Sequence, residues 1–375
     1  MAAIIDGTSG ITSPTYNGTV TAEYSVPVTA FKNRIINGAM VIDQRNAGAA
    51  VTPSSGGTYS VDRWRLYATQ SSKFTVQQNY GSVTPPAGFV NYLGYYVASA
   101  YTPSVATDEF FHNQKIEGYN IADLNWGTAN AKTVTLSFWV RSSLTGTFAG
   151  FIRNEAGDRN YIFTYTISSA NTWEQKTVTI TGCTDGTWQT TTLTGIGIGF
   201  SLGANAALLT SSTGTWISGT SYSGASTQVN LVTTAGATWY ITGVQLEKGS
   251  TATSFDYRPY GTELALCQRY LPAISTTVLN GAFSNFGSAY STTHVQAAIA
   301  YPVTSRVSPT GISLTGSLSV GDGVSSLAVS SLAFGGASPY ACFIDGTVTG
   351  ATQYRPYKLS NNNNASAYIE LSAEL

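Results

Sequence analysis

The sequence predicts an all-β fold: an antiparallel jelly-roll β-sandwich followed by a smaller C-terminal β-sandwich, with an extended N-terminal arm and one short connecting helix. Short segments alternate apolar and polar residues with the period of two that half-buried strands show. Turns rich in glycine, asparagine and serine separate these segments. Segments that favour a helix are scarce. Many short strands joined by such turns are typical of sandwiches and barrels.

Residues 1–33 are predicted to form an arm and not a domain. They are rich in glycine, threonine and serine, with turn signals at Ser13-Pro14 and Asn17-Gly18. The segment is too short and too polar to bury a core alone. We therefore expect it to pair with another chain.

The larger sandwich is expected over residues 34–260. Its clearest strand signal is 134–140, where alternate apolar residues share one face and Trp139 lies on the other. The same period of two recurs at residues 74–78, 161–165, 178–180 and 196–200.

A single short helix is predicted over residues 262–270, with Thr262 as its N-cap. The side chains expected to face inward are Leu264, Leu266, Cys267 and Tyr270. After Pro272 the strand signals resume at residues 297–301, 314–318, 327–329 and 368–371. Residues 261–375 are therefore expected to form a second, smaller β domain.

Composition excludes two broad classes of protein. Only 10% of the residues are charged, against about 25% in ordinary domains. The 18 Lys and Arg residues face 19 Asp and Glu residues, so the basic surplus that nucleic-acid binding needs is missing. Aromatic residues make up 12% of the chain, which excludes a disordered protein. A folded, weakly charged protein of this kind is typical of extracellular assemblies and glycan-facing surfaces.

The cysteines and the N-terminal residues limit the cellular compartment in which the protein is expected. Cys183, Cys267 and Cys342 match no metal-binding spacing, so we expect free thiols. The N-terminus has no basic region followed by an apolar one, and no run approaches the roughly 18 apolar residues of a membrane span. We therefore expect no membrane insertion, and a path out of the cell other than secretion.

One stretch resembles a known family. Residues 241–250 (Ile-Thr-Gly-Val-Gln-Leu-Glu-Lys-Gly-Ser) and 255–270 resemble the junction in many bacteriophage tail-fibre and virion proteins where a jelly roll ends and a C-terminal tip domain begins. Residues 33–45 and 59–64 resemble the segments that open that jelly roll. Residues 4–12 are similar to the short segments that begin phage fibres and dock them on the particle.

The resemblance implies a bacteriophage tail fibre that works as a homotrimer. Residues 1–33 would attach to phage tail or baseplate proteins, and residues 261–375 would bind a host surface glycan or receptor. The protein would be soluble in the host cytoplasm before assembly and lysis, and external on the virion tail afterwards. Two alternatives remain open: a structural virion component, such as a head fibre, decoration protein or baseplate adaptor, and a polysaccharide-degrading tail enzyme.

Aromatic residues are the candidate binding groups. Residues 136–141 (Leu-Ser-Phe-Trp-Val-Arg), with Trp173, are similar to jelly-roll carbohydrate-binding modules. Sugar rings stack on aromatic faces while their hydroxyls need polar partners. The candidates in turn-rich stretches are Trp126, Trp188 and Trp216 in the jelly roll, and Phe283, Phe286, Tyr290, Tyr340, Tyr354 and Asn362 in the C-terminal domain. The same rings could instead cap the sandwich or pack a trimer.

No catalytic residue is predicted, and we expect no enzyme. His112 has no second metal ligand at a suitable spacing and is expected in a solvated loop. Glycan cleavage would need two paired carboxylates, for which the available acids are Asp108, Glu109, Glu117, Glu155 and Asp158. We interpret these acids as solvated loop residues.

No cofactor is expected, apart from a structural calcium ion as an open alternative. Oxygen ligands for Ca²⁺ could come from residues 155–158 or from Asp322-Gly323.

Overall fold

The computed structural model describes residues 5–6, 10–11, 32–275, 278–284 and 286–375. Two short strands, β1 (Ile5–Asp6) and β2 (Gly10–Ile11), pair in antiparallel register. The predicted arm of residues 1–33 otherwise lies outside the described residues, apart from its last two positions. Its attachment role stays a prediction.

Two antiparallel sheets form the first unit. Its strands are β3 (Gly56–Tyr59), β4 (Arg65–Ala68), β5 (Phe74–Gln78), β6 (Leu93–Val97), β7 (Glu109–Glu117), β8 (Val134–Ser142), β9 (Gly146–Arg153), β10 (Arg159–Ile167), β11 (Glu174–Ile180), β12 (Thr194–Ala204), β13 (Leu209–Thr210), β14 (Trp216–Ser218), β15 (Gly224–Ala225) and β16 (Thr238–Lys248). The seven-stranded sheet has the order β14-β10-β9-β12-β7-β4-β3, and the five-stranded sheet has the order β11-β8-β16-β6-β5. Strands β13 and β15 form a small parallel pair. One-turn 3-10 helices lie at Tyr80–Ser82, Gly118–Asn120, Ala122–Leu124, Ala206–Leu208 and Leu231–Thr233.

The core between these sheets follows from the alternation in the sequence. Apolar residues at every second position of β8, such as Leu136 and Phe138, are fully buried. They share one hydrophobic cluster with Ile198 and Phe200 of β12, in the facing sheet. The predicted all-β sandwich is therefore confirmed.

Several polar residues on or beside strand β7 are buried, although solvated loops were predicted for them. His112 is fully buried in the core, where its ring stacks on Trp64 at 4.5 Å between centroids. Asp108 and Glu117, expected in solvated loops, are also buried. Glu109 is half-buried, whereas Glu155 and Asp158 are exposed. The expectation fails because β7 lies inside the seven-stranded sheet, between β12 and β4, where even its ends are covered.

The connecting helix begins slightly earlier than predicted. Helix α1 spans Tyr260–Gln268, and its N-cap is Pro259 and not Thr262. Thr262 lies in the first turn, where its backbone N–H donates to the Pro259 carbonyl over 2.9 Å. No helix in the described part of the chain is long and apolar enough to cross a membrane.

Three antiparallel sheets form the C-terminal unit. Its strands are β17 (Ala273–Ser275), β18 (Ala282–Ser284), β19 (Gly287–Ala289), β20 (His294–Ala300), β21 (Gly311–Thr315), β22 (Ser319–Gly321), β23 (Ser326–Ala328), β24 (Ser331–Ala337), β25 (Ala341–Thr347), β26 (Lys358–Ser360) and β27 (Tyr368–Ser372). The sheet orders are β17-β27-β21, β18-β26-β22-β23 and β19-β20-β25-β24. These strands enclose a hydrophobic core of their own.

The three cysteines are free and buried, as predicted.

Ion pairs with buried carboxylates join the two units. The Arg63 guanidinium donates to the carboxylate of Glu374 and lies over the ring of Tyr270, 3.6 Å from its centroid. Arg269 forms a two-point pair with Glu117, with distances of 2.9 and 2.6 Å. Such two-point arginine–carboxylate contacts fix orientation as well as distance. The C-terminal unit is therefore held against the jelly roll by charged as well as apolar contacts.

Candidate functional site

The three predicted tryptophans of the jelly roll form one cluster. Their ring centroids lie 4.7 Å (Trp126–Trp188), 5.3 Å (Trp126–Trp216) and 5.4 Å (Trp188–Trp216) apart, all edge to face. Each indole N–H donates to a backbone carbonyl, that of Trp216 to Thr181 over 2.8 Å. Edge-to-face packing with satisfied N–H groups is typical of core aromatics.

Two of these tryptophans do not form an open platform. Trp126 is 6% exposed and Trp188 is 7% exposed, so neither offers a ring face on which a sugar could stack. Trp216 is only half-buried and remains a candidate. The sequence suggested exposure because glycine and threonine surround these rings, but the three rings pack against one another and against the core.

The predicted C-terminal residues separate into core and surface. Phe283 is 9% exposed and belongs to the C-terminal core. The side chains of Phe286, Tyr290, Tyr340 and Tyr354 are exposed, Tyr354 to 81%. Asn362 is also exposed, in a loop with a left-handed backbone (φ 43°). The surface members keep their predicted accessibility, and their binding role stays a prediction.

An apolar surface missed by the sequence lies on the C-terminal unit. We call it the tip surface; it comprises Ala298, Gly336, Ala337, Ser338, Ala341, Cys342 and Phe343 and encloses about 350 Å³. The backbone of Phe286 borders it, because the Ala298 N–H donates to the Phe286 carbonyl over 3.2 Å. Small side chains leave the ring of Phe343 half exposed. This surface suits packing or stacking better than polar recognition.

A polar groove crosses the outer face of the seven-stranded sheet. It holds about 320 Å³, and its lining includes Arg65, Tyr67, Glu109, Phe111, Asn113, Lys115, Arg153, Glu155, Gly197 and Ser221. Much of the remaining outer face is covered by the segment that carries β14 and β15, which packs on Phe111, Phe151 and Ile162. The groove is therefore the part of this face that stays open.

Glycine forms the floor of the groove. Gly197 of β12 pairs with Lys115 of β7 on one side and with Arg153 of β9 on the other. A Cβ atom at Gly197 would meet only Arg153, whose Cγ would lie 3.7 Å away in ordinary contact. At Gly199 the ring of Phe151 already fills the space, 2.3 Å from such a Cβ. The floor is therefore bare at Gly197, between two long basic side chains.

Aromatic rings and polar groups line the two walls together. The ring of Tyr67 stacks on that of Phe111 with centroids 5.1 Å apart. Arg153 lies over the ring of Phe151 at 4.3 Å, and its Nη1 donates to the Ser221 hydroxyl over 2.7 Å. Stacking of this kind fixes a guanidinium and leaves part of its fork for a ligand.

The charges in the groove influence each other. Burial lowers the pKa of Lys115, and the nearby Arg65 lowers it further, against the opposing effect of Glu155. Burial also raises the pKa of Glu109, although the Ser223 hydroxyl and Arg153 act in the other direction. Both shifts have the sign expected for charges partly withdrawn from water.

The described residues contain no group of three or more histidine, cysteine, aspartate or glutamate side chains placed to hold a metal ion. Asp322 is engaged elsewhere, since its carboxylate pairs with Arg355 at 2.9 Å and accepts the Ser325 backbone N–H. Asp158 accepts the side-chain amide of Asn154 over 2.6 Å. These contacts give the calcium alternative no support.

The sequence held a signal for the groove. Residues 195–199 read Gly-Ile-Gly-Ile-Gly, so glycine occupies every second position opposite the buried face. In a strand these positions share one face, and glycine in strands often marks the close approach of a ligand or another backbone. The basic residues carried no comparable signal, because they come from three strands far apart in the chain.

Neither a protein-family model nor a curated protein matches this chain. Among solved structures it is similar to the enzymatically active domain of tailspike protein 4 of bacteriophage CBA120, at 14% identity and a TM-score of 0.30, covering 58% of this chain and 22% of that one. The chain thus matches about a fifth of the tailspike structure.

Two further similar structures are carbohydrate-binding modules. The tandem CBM22 domain of Paenibacillus barcinonensis Xyn10C has 11% identity, covers 88% of this chain and 99% of its own, and gives a TM-score of 0.27. The family 11 module of the Clostridium thermocellum cellulase Lic26A-Cel5E has 11% identity, covers 53% and 99%, and gives 0.25. These likenesses are distant, so the fold and the groove rest on the strands and contacts of this chain itself.

Proposed function

We propose that this chain is a bacteriophage virion protein that binds a glycan on the host cell surface, and that the groove on the seven-stranded sheet is its glycan site. The observation that carries the proposal is the groove itself, an open recess that combines the half-buried ring of Tyr67 with charged and amide side chains. A sugar needs this combination of apolar face and convergent polar groups. The resemblance of residues 241–270 to the phage junction supplies the viral context.

The arrangement on the particle follows the same proposal. Residues 1–33 attach to tail or baseplate proteins, the chain assembles as a homotrimer, and the binding units face outward on the virion tail. Several weak glycan contacts on one particle then act together through their high effective concentration. The C-terminal unit is the second candidate for contact with the host, because its exposed rings lie on a well-packed β scaffold.

A glycine substitution tests the groove without disturbing the backbone. We expect Gly197→Leu to weaken glycan binding by about tenfold or more, because its side chain would occupy the floor between Lys115 and Arg153. The measurement is binding of the purified full chain to an array of bacterial surface polysaccharides, followed by calorimetry on the glycans that bind.

The matched variant is Gly336→Leu on the tip surface. Gly336 is likewise a strand glycine, exposed on β24 whereas Gly197 is buried, and no atom lies within 4 Å of the position that a Cβ would take there. Weakening by Gly197→Leu alone supports the groove, and weakening by Gly336→Leu alone moves the site to the C-terminal unit. If the wild-type chain binds no polysaccharide, the glycan proposal itself is wrong.

Polysaccharide cleavage is a second candidate function, because Glu109 and Glu155 both line the groove. Glycosidic hydrolysis uses two such carboxylates, one of them with a raised pKa, and burial raises that of Glu109. This function predicts release of reducing ends from a bound polysaccharide and loss of that release, by about a hundredfold or more, in Glu109→Gln. Binding without any release of reducing ends would leave glycan recognition as the whole function.

A further inference from the structure

The basic side chains of the groove lack carboxylate partners. Arg65, Lys115 and Arg153 form no ion pair within the described residues, whereas most other arginines do, including the buried Arg45 and Arg63. An unpaired cation withdrawn from water is unfavourable unless a ligand or solvent compensates it. The groove therefore concentrates positive charge in a chain whose formal net charge is −1.

The sheet register brings two of these cations close to one point. Arg65 of β4 lies directly opposite Asn113 of β7, and Lys115 is two residues further along the same face of β7. Diagonal neighbours of this kind are separated by roughly 7–8 Å, within reach of long side chains. The two positive charges therefore act on the same part of the groove, and Arg65 is the nearby charge that most lowers the pKa of Lys115.

The side chain of Arg65 runs over the sheet surface towards the edge strand β3. Its guanidinium extends to Gly57 of the edge strand β3, where a Cβ atom would fall 1.6 Å from Arg65 Nε and 2.0 Å from Cζ and Nη2. Only glycine gives the side chain this room. The guanidinium is thus held near the sheet surface on the β3 side of β4, from where its charge still acts on Lys115.

Asn113 adds an unused acceptor at the same point. Its side chain is 4% exposed, yet its Oδ1 is buried without a hydrogen-bond partner among the described residues. A buried polar atom without a partner costs about 1–3 kcal/mol, so such atoms call for an explanation. A sugar hydroxyl that donates to Oδ1 would supply the missing bond.

The two acids of the groove do not cancel this charge. Glu109 accepts the Ser223 hydroxyl beside the covering segment, and among the ions its influence falls on Arg153. Glu155 lies exposed on the turn after β9. Arg306 does not line the groove but its charge also acts on Lys115, and its guanidinium binds backbone carbonyls, among them those of Thr192 and Ala373.

We infer that the groove selects an acidic glycan, in which the carboxylate of a uronic-acid type sugar pairs with Lys115 in the positive field of Arg65 and Arg153, while a neighbouring hydroxyl donates to Asn113. The inference rests on the proposed glycan-binding function and gives it a substrate class. A neutral glycan could also donate a hydroxyl to Asn113 but would leave the cations uncompensated, so the acid group determines the preference between the two classes of glycan.

The test compares acidic oligosaccharides with their carboxyl-reduced neutral counterparts. The probes are oligomers of galacturonate, glucuronate, mannuronate and guluronate on one array, each beside its neutral analogue. The binding of the purified full chain to each probe is measured. We expect the acidic member of at least one pair to bind about tenfold or more tightly than its neutral partner. Added salt should weaken binding of that acidic member and leave any binding of the neutral one nearly unchanged.

Lys115→Met and Lys358→Met locate the effect. Both lysines lie on strands, Lys358 on the exposed surface of β26 in the C-terminal unit. Lys115→Met should remove most of the preference for the acidic member, and Lys358→Met should keep it. Arg65→Gln serves as the second groove variant, so that a folding defect in one variant cannot decide the result.

The possible results separate the two levels of the proposal. Equal binding of the acidic and neutral members overturns the acid preference and leaves glycan binding intact. Acid preference that survives both groove variants overturns the assignment to Arg65 and Lys115. If no acidic or neutral member binds, while polysaccharides on the array used for Gly197→Leu do, the acidic class is wrong. If nothing binds on either array, the proposed function fails with it.

Discussion

Glu374→Gln is expected to lower the free energy of unfolding by about 3–5 kcal/mol, the usual cost of removing one partner from a buried ion pair. Glu374 accepts hydrogen bonds from Arg63 and, at 3.0 Å, from Arg45. Arg63 is 2% exposed and has no other carboxylate partner among the described residues. The substitution therefore leaves a guanidinium buried without a counter-charge.

The loss should appear first at the contact between the two units. Arg63 belongs to the jelly roll, whereas Glu374 follows the last strand of the C-terminal unit, and each unit has its own hydrophobic core. We expect the thermal unfolding of the variant to separate into two transitions, with the C-terminal unit unfolding at the lower temperature. Differential scanning calorimetry of the full chain measures both effects.

Glu370→Gln is the matched control for this prediction. Glu370 lies four residues earlier, on β27, and its hydrogen bond to the Ser313 hydroxyl is 2.8 Å long and exposed. Exposed polar contacts contribute at most about 1 kcal/mol, so the control should unfold close to the wild type. Similar losses in both variants would show that the buried pair does not hold the units together.

The strands and their faces could be predicted from the sequence because they depend on local alternation. Leu136, Phe138, Ile198 and Phe200 needed only a period of two to be assigned to a core. The predicted exposure of Trp126 and Trp188 was wrong for a related reason. The sequence around Trp126 shows turn residues, but whether a turn exposes or covers a ring depends on which distant ring packs against it, here Trp188 and Trp216.

The groove depends on the order of strands, which local patterns do not carry. Arg65, Lys115 and Arg153 lie on β4, β7 and β9, and they meet only because β7 and β12 lie between the outer two. Composition also hid the site, since a net charge of −1 gives no sign of a local basic surface. The bare floor at Gly197 was the one part of the groove visible in the sequence.

His112 should make folding stability depend on pH. Burial lowers the pKa of His112 from 6.5 to about 3. The unfolded chain therefore binds a proton near pH 6.5 that the folded chain does not bind until the pH approaches 3. The stabilisation of the folded state that depends on neutral His112 is complete above about pH 6.5 and is lost as the pH falls towards 3. One such proton corresponds to about 1.4 kcal/mol per pH unit, or roughly 2.7 kcal/mol lost at pH 4.5.

A second buried group acts in the opposite direction. Burial raises the pKa of Asp62 from 3.8 to about 6, although Arg45 and Gln44 oppose the shift. Its contribution is complete below about pH 3.8 and is lost as the pH rises through 6. The two effects partly cancel between pH 4 and 6, so the wild-type curve alone cannot reveal His112.

A pair of variants isolates the contribution of His112 to the pH dependence of stability. Tyr95 and His112 share a buried hydrogen bond between the phenol hydroxyl and Nδ1, and replacing both partners with apolar rings avoids an orphaned polar group. The double variant Tyr95→Phe/His112→Phe should be less sensitive to acid than Tyr95→Phe alone, by nearly one proton between pH 6 and 4. Urea unfolding at each pH measures the difference. Because Asp62 is present in both variants, equal slopes would mean that His112 is protonated in the folded protein, which the apolar stack of Trp64, Phe200 and Trp239 around its ring argues against.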